Sequence, residues 1–273
     1  MLRRISRYVI LSAIVGIVFL FIMLSSRHPS NERDWSVDQA ILPTADIGED
    51  SVTIHNIRNF TYTSASDYTP AYYDKTFSLK TLESVWYVVE PFSRRGLAHT
   101  FLSFGFKDGS YVSISVEIRK EKGESFSPWK GLLRNYELMY VVADERDVIK
   151  LRSNFRKDQV YLYPIKTDDG RKRALFLDML IRANKLAREP EFYNTLRNTC
   201  TTNIARHVNV IRPNRIPFSL AIIFPDYSDH LAYDLGLIDT DLSWEDVRDH
   251  FNINSQAERF ADDPEFSRRI RER

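Results

Sequence analysis

His99-Thr-Phe-Leu-Ser-Phe-Gly-Phe106, Lys107-Asp108-Gly109-Ser110 and Tyr111-Val-Ser-Ile-Ser-Val-Glu-Ile118 form the stretch that decides the fold. Both flanks are rich in aromatic and β-branched residues, as strands are, and Asp-Gly is the favoured dipeptide for a tight hairpin. Two registers are open. If the connection is Lys107-Asp108-Gly109 with glycine in the left-handed position, paired residue numbers sum to 216 and His99 lies opposite Glu117. A two-residue Asp-Gly turn gives 217 and moves Glu117 to the other face from His99. In the first register Glu117 holds one ring nitrogen of His99 and leaves the other free.

Outward from the hairpin, alternation or short apolar runs predict strands over 52–62, 85–89, 137–143 and 159–163. Residues 76–82 read as irregular, 119–136 as a long surface loop and 144–155 as holding a short helix. Apolar positions at helical spacing predict helices over 173–187 and 198–210, the second stopping before Pro213. Ser243-Trp-Glu-Asp246 reads as a capping box opening a third. Beyond about 254 the chain is charged and poor in aromatics and reads as a polar tail. Strands and helices are segregated rather than alternating, so the fold class is α+β, an antiparallel sheet packed on helices.

Cys200 is the only cysteine, set in Asn198-Thr199-Cys200-Thr201-Thr202-Asn203 at the predicted helix start. Unpaired N–H groups and the positive end of the helix dipole favour a thiolate there. The plain alternative is a small buried filler, because free cysteine is among the most buried residue types. With His99 and Glu117 the candidate roles are complete. Cys200 is the nucleophile, His99 moves its proton, and Glu117 fixes the imidazole tautomer. Asn198 is the expected N-cap and a candidate second donor to an oxyanion, although capping alone accounts for it. His207 is seven residues on, about 10 Å along the helix, too far for direct proton transfer. His55, His230 and His250 have no special sequence neighbours; Glu121 and Glu124 are alternative acids that read more simply as a solvated face, and Glu145-Arg146-Asp147 reads as a solvated loop or helix cap. Arg94 and Arg95 are candidates for a phosphate headgroup or a plain surface pair. No metal motif, Gly-rich phosphate loop or cofactor motif is present.

Residues 8–24 are an apolar run preceded by Arg3, Arg4 and Arg7. Seventeen helical residues span about 25 Å, near the lower limit for a bilayer. The basic flank places the N-terminus in the cytoplasm and the rest outside. A cleaved signal peptide competes, but bulky residues fill the end of the run and no small-x-small site follows. The division expected is an anchor over 1–26, a tether over 27–50, a catalytic domain over 51–241, and a helix with a polar tail over 242–273. A formal net charge of +1 with interspersed signs argues against nucleic acid as partner. One cysteine excludes an internal disulfide, and an unpaired one outside the cytoplasm is a candidate reactive thiol.

Several separated blocks carry a family resemblance: 59–62, 98–124, 140–152 and 191–207. Together they resemble the periplasmic domain of Lnb-type bacterial lipoprotein N-acyltransferases over roughly 50–240. The resemblance implies a circularly permuted papain-like, NlpC-like domain in which histidine precedes cysteine, as His99, Glu117 and Cys200 do here. It also implies a chemistry: Cys200 takes an acyl chain from a membrane phospholipid as a thioester and passes it to the N-terminal amine of a lipoprotein. Localisation would be the bacterial inner membrane, single-pass through 8–24, with the domain in the periplasm. Family acyltransferases are expected to carry further membrane segments after this domain, and residues 216–224, with Pro217, are too short to be one. A cysteine hydrolase or amidase on cell-wall peptides, and a non-catalytic envelope-binding module with Cys200 merely buried, stay open beside it. The last requires that the three residues not converge.

Overall fold

The computed structural model describes residues 23–92 and 96–272, together with 11, 13–16, 18 and 19. Its strands are β1 (Thr44–Ile47), β2 (Ser51–Arg58), β3 (Thr61–Tyr62), β4 (Tyr68–Thr69), β5 (Tyr72–Ser78), β6 (Leu82–Pro91), β7 (Ala98–Phe106), β8 (Tyr111–Arg119), β9 (Glu137–Asp144) and β10 (Tyr161–Pro164). The helices are α1 (Pro128–Leu132), α2 (Glu145–Lys150), α3 (Asp169–Arg188), α4 (Cys200–Ile211), α5 (Leu220–Ile223), α6 (Ser228–Asp234), α7 (Trp244–Phe251), α8 (Asn254–Arg259) and α9 (Phe266–Arg269). A π-helical turn, Leu151–Phe155, continues α2.

The main sheet runs β1-β2-β9-β8-β7-β6-β10, with β5 also on β2. All its pairings are antiparallel except the single β2–β9 bridge, Arg58 with Ala143. The hairpin takes the three-residue register: Phe101 faces Ser115 and Gly105 faces Tyr111. Gly109 has φ +80°, the left-handed conformation that a glycine tolerates without a Cβ clash.

Strand alternation sends two sets of side chains to opposite faces. On one face Leu102, Phe104, Phe106, Ile114 and Tyr140 meet α3 and α4. Asp168 caps α3 by accepting from the Arg171 N–H, and Leu175, Phe176, Met179, Leu180, Ala183 and Leu186 bury its inner stripe. Phe176 sits among Phe77, Phe104 and Phe106, with ring centroids 4.9–6.4 Å away. Full burial of such a side chain is worth about 1.5–3 kcal/mol.

The other face carries Val88, Phe101, Met139, Val141 and Leu162, packed on Val148, Ile149, Ile253, Ala257, Phe266 and Ile270. The segment after 254, expected as a polar tail, is therefore the second covering layer. Phe266 and Ile270 are buried, and Arg271 pairs with Glu145 at 2.6 Å. The expected tether over 27–50 also packs. Trp35 is buried under the Arg119 guanidinium, 4.2 Å from its ring centroid, and 44–47 form an edge strand. Residues 72–78, partly expected as irregular, form β5 because β2 offers an antiparallel partner.

Of the apolar run 8–24, the described residues are helical, and Leu11, Ile14, Val15, Val18 and Phe19 are exposed. Much of the expected anchor lies outside the described residues. Among those described, no helix is long and apolar enough to cross a membrane.

Candidate active site

The β7–β8 ladder stops at Phe101–Ser115, although both strands run on. Beyond that point β7 pairs with β6 as far as Ala98, and β8 pairs with β9 as far as Arg119. The two strands therefore part at this end of the sheet. In the split lies a cavity of about 230 Å³ lined by His99, Glu117, Cys200, Arg152, Glu90 and Tyr193, among others. The three residues singled out in the sequence share this one cavity.

Cys200 opens α4. The N-cap is Thr199, not the expected Asn198. The Thr199 hydroxyl accepts from the Thr202 N–H at 3.2 Å, and the Thr202 hydroxyl accepts from the Thr199 N–H at 2.7 Å. The box closes on threonine at both positions because each hydroxyl can accept a backbone N–H. Asn198 braces the incoming loop instead. Its amide donates to the Phe192 carbonyl at 3.1 Å, and its side-chain oxygen accepts from Asn203 at 2.9 Å. One N–H of that amide is thus taken up in bracing the loop. Thr201 is locked to Thr100 of β7 at 3.0 Å, which fixes the first turn of α4 against the sheet.

His99 and Glu117 are within ion-pair reach, and Ser115 bridges them, which the register alone did not suggest. His99 Nε2 lies 2.7 Å from Ser115 Oγ, and Ser115 donates to Glu117 Oε1 at 2.9 Å. The carboxylate itself is 3.6 Å from Nε2. Arg152 holds the same Glu117 oxygen at 3.3 Å and Glu90 at 2.7 Å, and its guanidinium lies 5.0 Å from the Phe101 ring centroid. Ser115 and Arg152 were not singled out in the sequence. Ser115 is two residues before Glu117 on the same face, so alternation alone could have found it. Arg152 lies in the π-turn, and nothing in its spacing marks it.

The charges follow from this geometry. Burial lowers the His99 pKa, but hydrogen bonding to Cys200 and Glu117 outweighs it and raises the pKa to about 9. Burial raises the Cys200 thiol, and the hydrogen bond and charge of His99 outweigh that, bringing it down to about 7. Thr100 and Thr201 add hydrogen bonds that favour the thiolate. Burial also opposes the ionised form of Glu117, but His99 and Arg152 hold its pKa well below the usual carboxylate value. A thiolate beside an imidazolium is the combination that activates a cysteine nucleophile.

The remaining histidines stand apart. His207 is buried between Tyr140 and Asp178, both at 2.6 Å. His55, expected to have no special neighbours, bridges Asp46 and Asp74 on the surface. His230 stacks on Trp244 and His250 lies edge-on to Phe251. Glu121 and Glu124 pair with Arg33 and Lys130 away from the cavity. Glu145 and Asp147, expected as solvated, are fully buried. Asp147 accepts from Arg58, the Phe60 N–H and the Tyr62 hydroxyl. Arg94 and Arg95 lie outside the described residues.

Fold and site together define an α+β domain with a thiol and an imidazole sharing a cavity at a split sheet end. The family model described as Lnb N-terminal periplasmic domain matches residues 68–225, and the chain belongs to that family. No curated protein and no solved structure matches the chain.

Proposed function

We propose that this chain is a membrane-anchored periplasmic thiol acyltransferase on a permuted papain-like domain, using Cys200, His99 and Glu117. The observation that carries the proposal is the convergence of Cys200, His99 and Glu117 on one cavity where β7 and β8 part. The Cys200 thiolate attacks the ester carbonyl of a membrane phospholipid. N–H groups of the first turn of α4, which have no intrahelical acceptor, face the developing oxyanion. The lysolipid alkoxide leaves with a proton from the His99 imidazolium, and a thioester remains on Cys200. The N-terminal amine of a lipoprotein then attacks the thioester, His99 takes a proton from it, and the thiolate departs as the amide forms. Glu117, acting through Ser115, keeps the imidazole oriented throughout. The chemistry needs no cofactor.

A separate apolar recess of about 70 Å³ lies behind the first turn of α4, with Leu102, Thr201 and Ile204 in its wall. Charged residues elsewhere on the reactive cavity, among them Glu90, Lys120 and Arg156, favour a second reading: hydrolysis of a peptide or amide by the same three residues. A binding module with an uninvolved Cys200 accounts for neither the shared cavity nor the paired shifts.

The test is intact mass after incubation with phospholipid in detergent, beside Cys200→Ser. A hydroxylamine-labile acyl adduct on the wild type alone supports the thioester. No adduct on a thiol that still reacts with iodoacetamide points to amide substrates, and an inert thiol overturns both enzyme readings.

A further inference from the structure

Most large apolar side chains of a folded domain are inside, and an exposed cluster marks an interaction site. Here such a cluster rims the mouth of the reactive cavity. Phe92 and Phe126 line the cavity while 40% and 47% exposed. Beyond Phe126, Trp129 of α1 is 75% exposed, and Leu133 follows it. Beyond Phe92, Phe224 and Tyr227 are exposed and flank Gly96, whose N–H donates to Asp226. These aromatics stand on short, independent segments, so no single helix stripe or strand alternation explains them.

The described end of the N-terminal apolar run reaches this rim. Arg134 donates to the Leu24 carbonyl at 3.1 Å, and Arg27 donates to the Leu133 carbonyl at 3.0 Å. Arg27, Lys130 and Arg134 therefore stand beside Trp129 and Leu133 where Leu24 meets the domain. Tryptophan and tyrosine favour the bilayer interface, and arginine and lysine favour anionic headgroups.

We propose that this aromatic collar seats in the interfacial layer of an anionic bilayer, so that the reactive cavity opens onto the lipid phase rather than onto water. The proposal rests on the membrane-anchoring part of the function proposed above and not on its thiol chemistry. It places Trp129 at the boundary of headgroups and acyl chains, within quenching reach of the chains, whereas Trp35 is buried and Trp86 and Trp244 are partly buried in the domain.

The test uses the full chain in vesicles of phosphatidylcholine and phosphatidylglycerol, with and without bromine on the acyl chains. Flotation reports anchoring, and bromine quenching of tryptophan emission reports the collar. The expected result is that wild type floats and is quenched, that W129F floats unquenched, and that W129F/F224W regains the quenching. A chain that floats with the same quenching in wild type and W129F, or with none in either wild type or W129F/F224W, overturns the collar alone. A chain that does not float overturns the anchoring and the collar with it. The thioester assay stands apart from both results.

Discussion

Replacing Glu117 with glutamine removes one negative charge while keeping the side chain's shape. In the structure that charge lies 3.6 Å from His99 Nε2. At an effective dielectric near 20, unit charges at this distance interact by about 4–5 kcal/mol. Arg152 lies 3.3 Å from the same oxygen and offsets a large part of that field. A net loss on the order of 1–2 kcal/mol at the imidazolium follows, which corresponds to about one pH unit. The sign is fixed. Without the carboxylate the imidazolium is less stable, its pKa falls from about 9, and the thiolate it supports becomes harder to form. The Cys200 inflection therefore rises from about 7. The assay is the iodoacetamide alkylation rate of Cys200 as a function of pH, with no substrate needed. Wild type should show an inflection near 7, and E117Q one displaced upward by about one pH unit. Superimposable profiles would refute the claim that Glu117 acts on Cys200 through Ser115 and His99.

The remaining predictions concern pH, the buried acids and one close packing contact. Turnover should follow a bell, rising through about pH 7 as Cys200 ionises and falling through about 9 as His99 loses its proton; a single sigmoid up to pH 10 would contradict the charged pair. D147A leaves the buried Arg58 guanidinium unpaired, with the Phe60 N–H and Tyr62 hydroxyl also deprived. It should cost about 3–5 kcal/mol in urea unfolding, and a loss under 1 would show that the pair is dispensable. At Gly105 a Cβ would run into the Ser84 hydroxyl and the Tyr111 ring. Gly105→Ala should therefore destabilise by about 1–3 kcal/mol, read from the same unfolding curves. Phe176→Ala should cost about 3–5 kcal/mol while leaving the Cys200 alkylation inflection unmoved, since Phe176 is remote from the cavity.

The hairpin was legible because Asp108-Gly109 restricts the turn to a few geometries and alternation does the rest. One left-handed glycine sets the register that faces His99 toward Glu117. The N-cap of α4 was legible to within one residue. What the sequence hid falls into two kinds. Buried ions such as Asp147, Glu145 and Arg152 look like surface residues in one dimension, because only their partners, 89, 126 and 62 positions away, make burial tolerable. The segments at either end were misjudged for a related reason. Residues 35–47 and 253–271 are sparsely apolar, but Trp35, Ala45, Ile253, Ala257, Phe266 and Ile270 are buried at sites that local pattern does not reveal.

The cover formed by residues 253–271 also has a consequence in time. A chain is made from its N-terminus onward, so Phe101, Met139 and Leu162 are complete long before Phe266 and Ile270 exist to cover them. Through that interval one side of a nearly finished sheet is bare and sticky. Any cell making this protein must shield that surface, or hold the chain extended, until the Arg271–Glu145 clasp can shut.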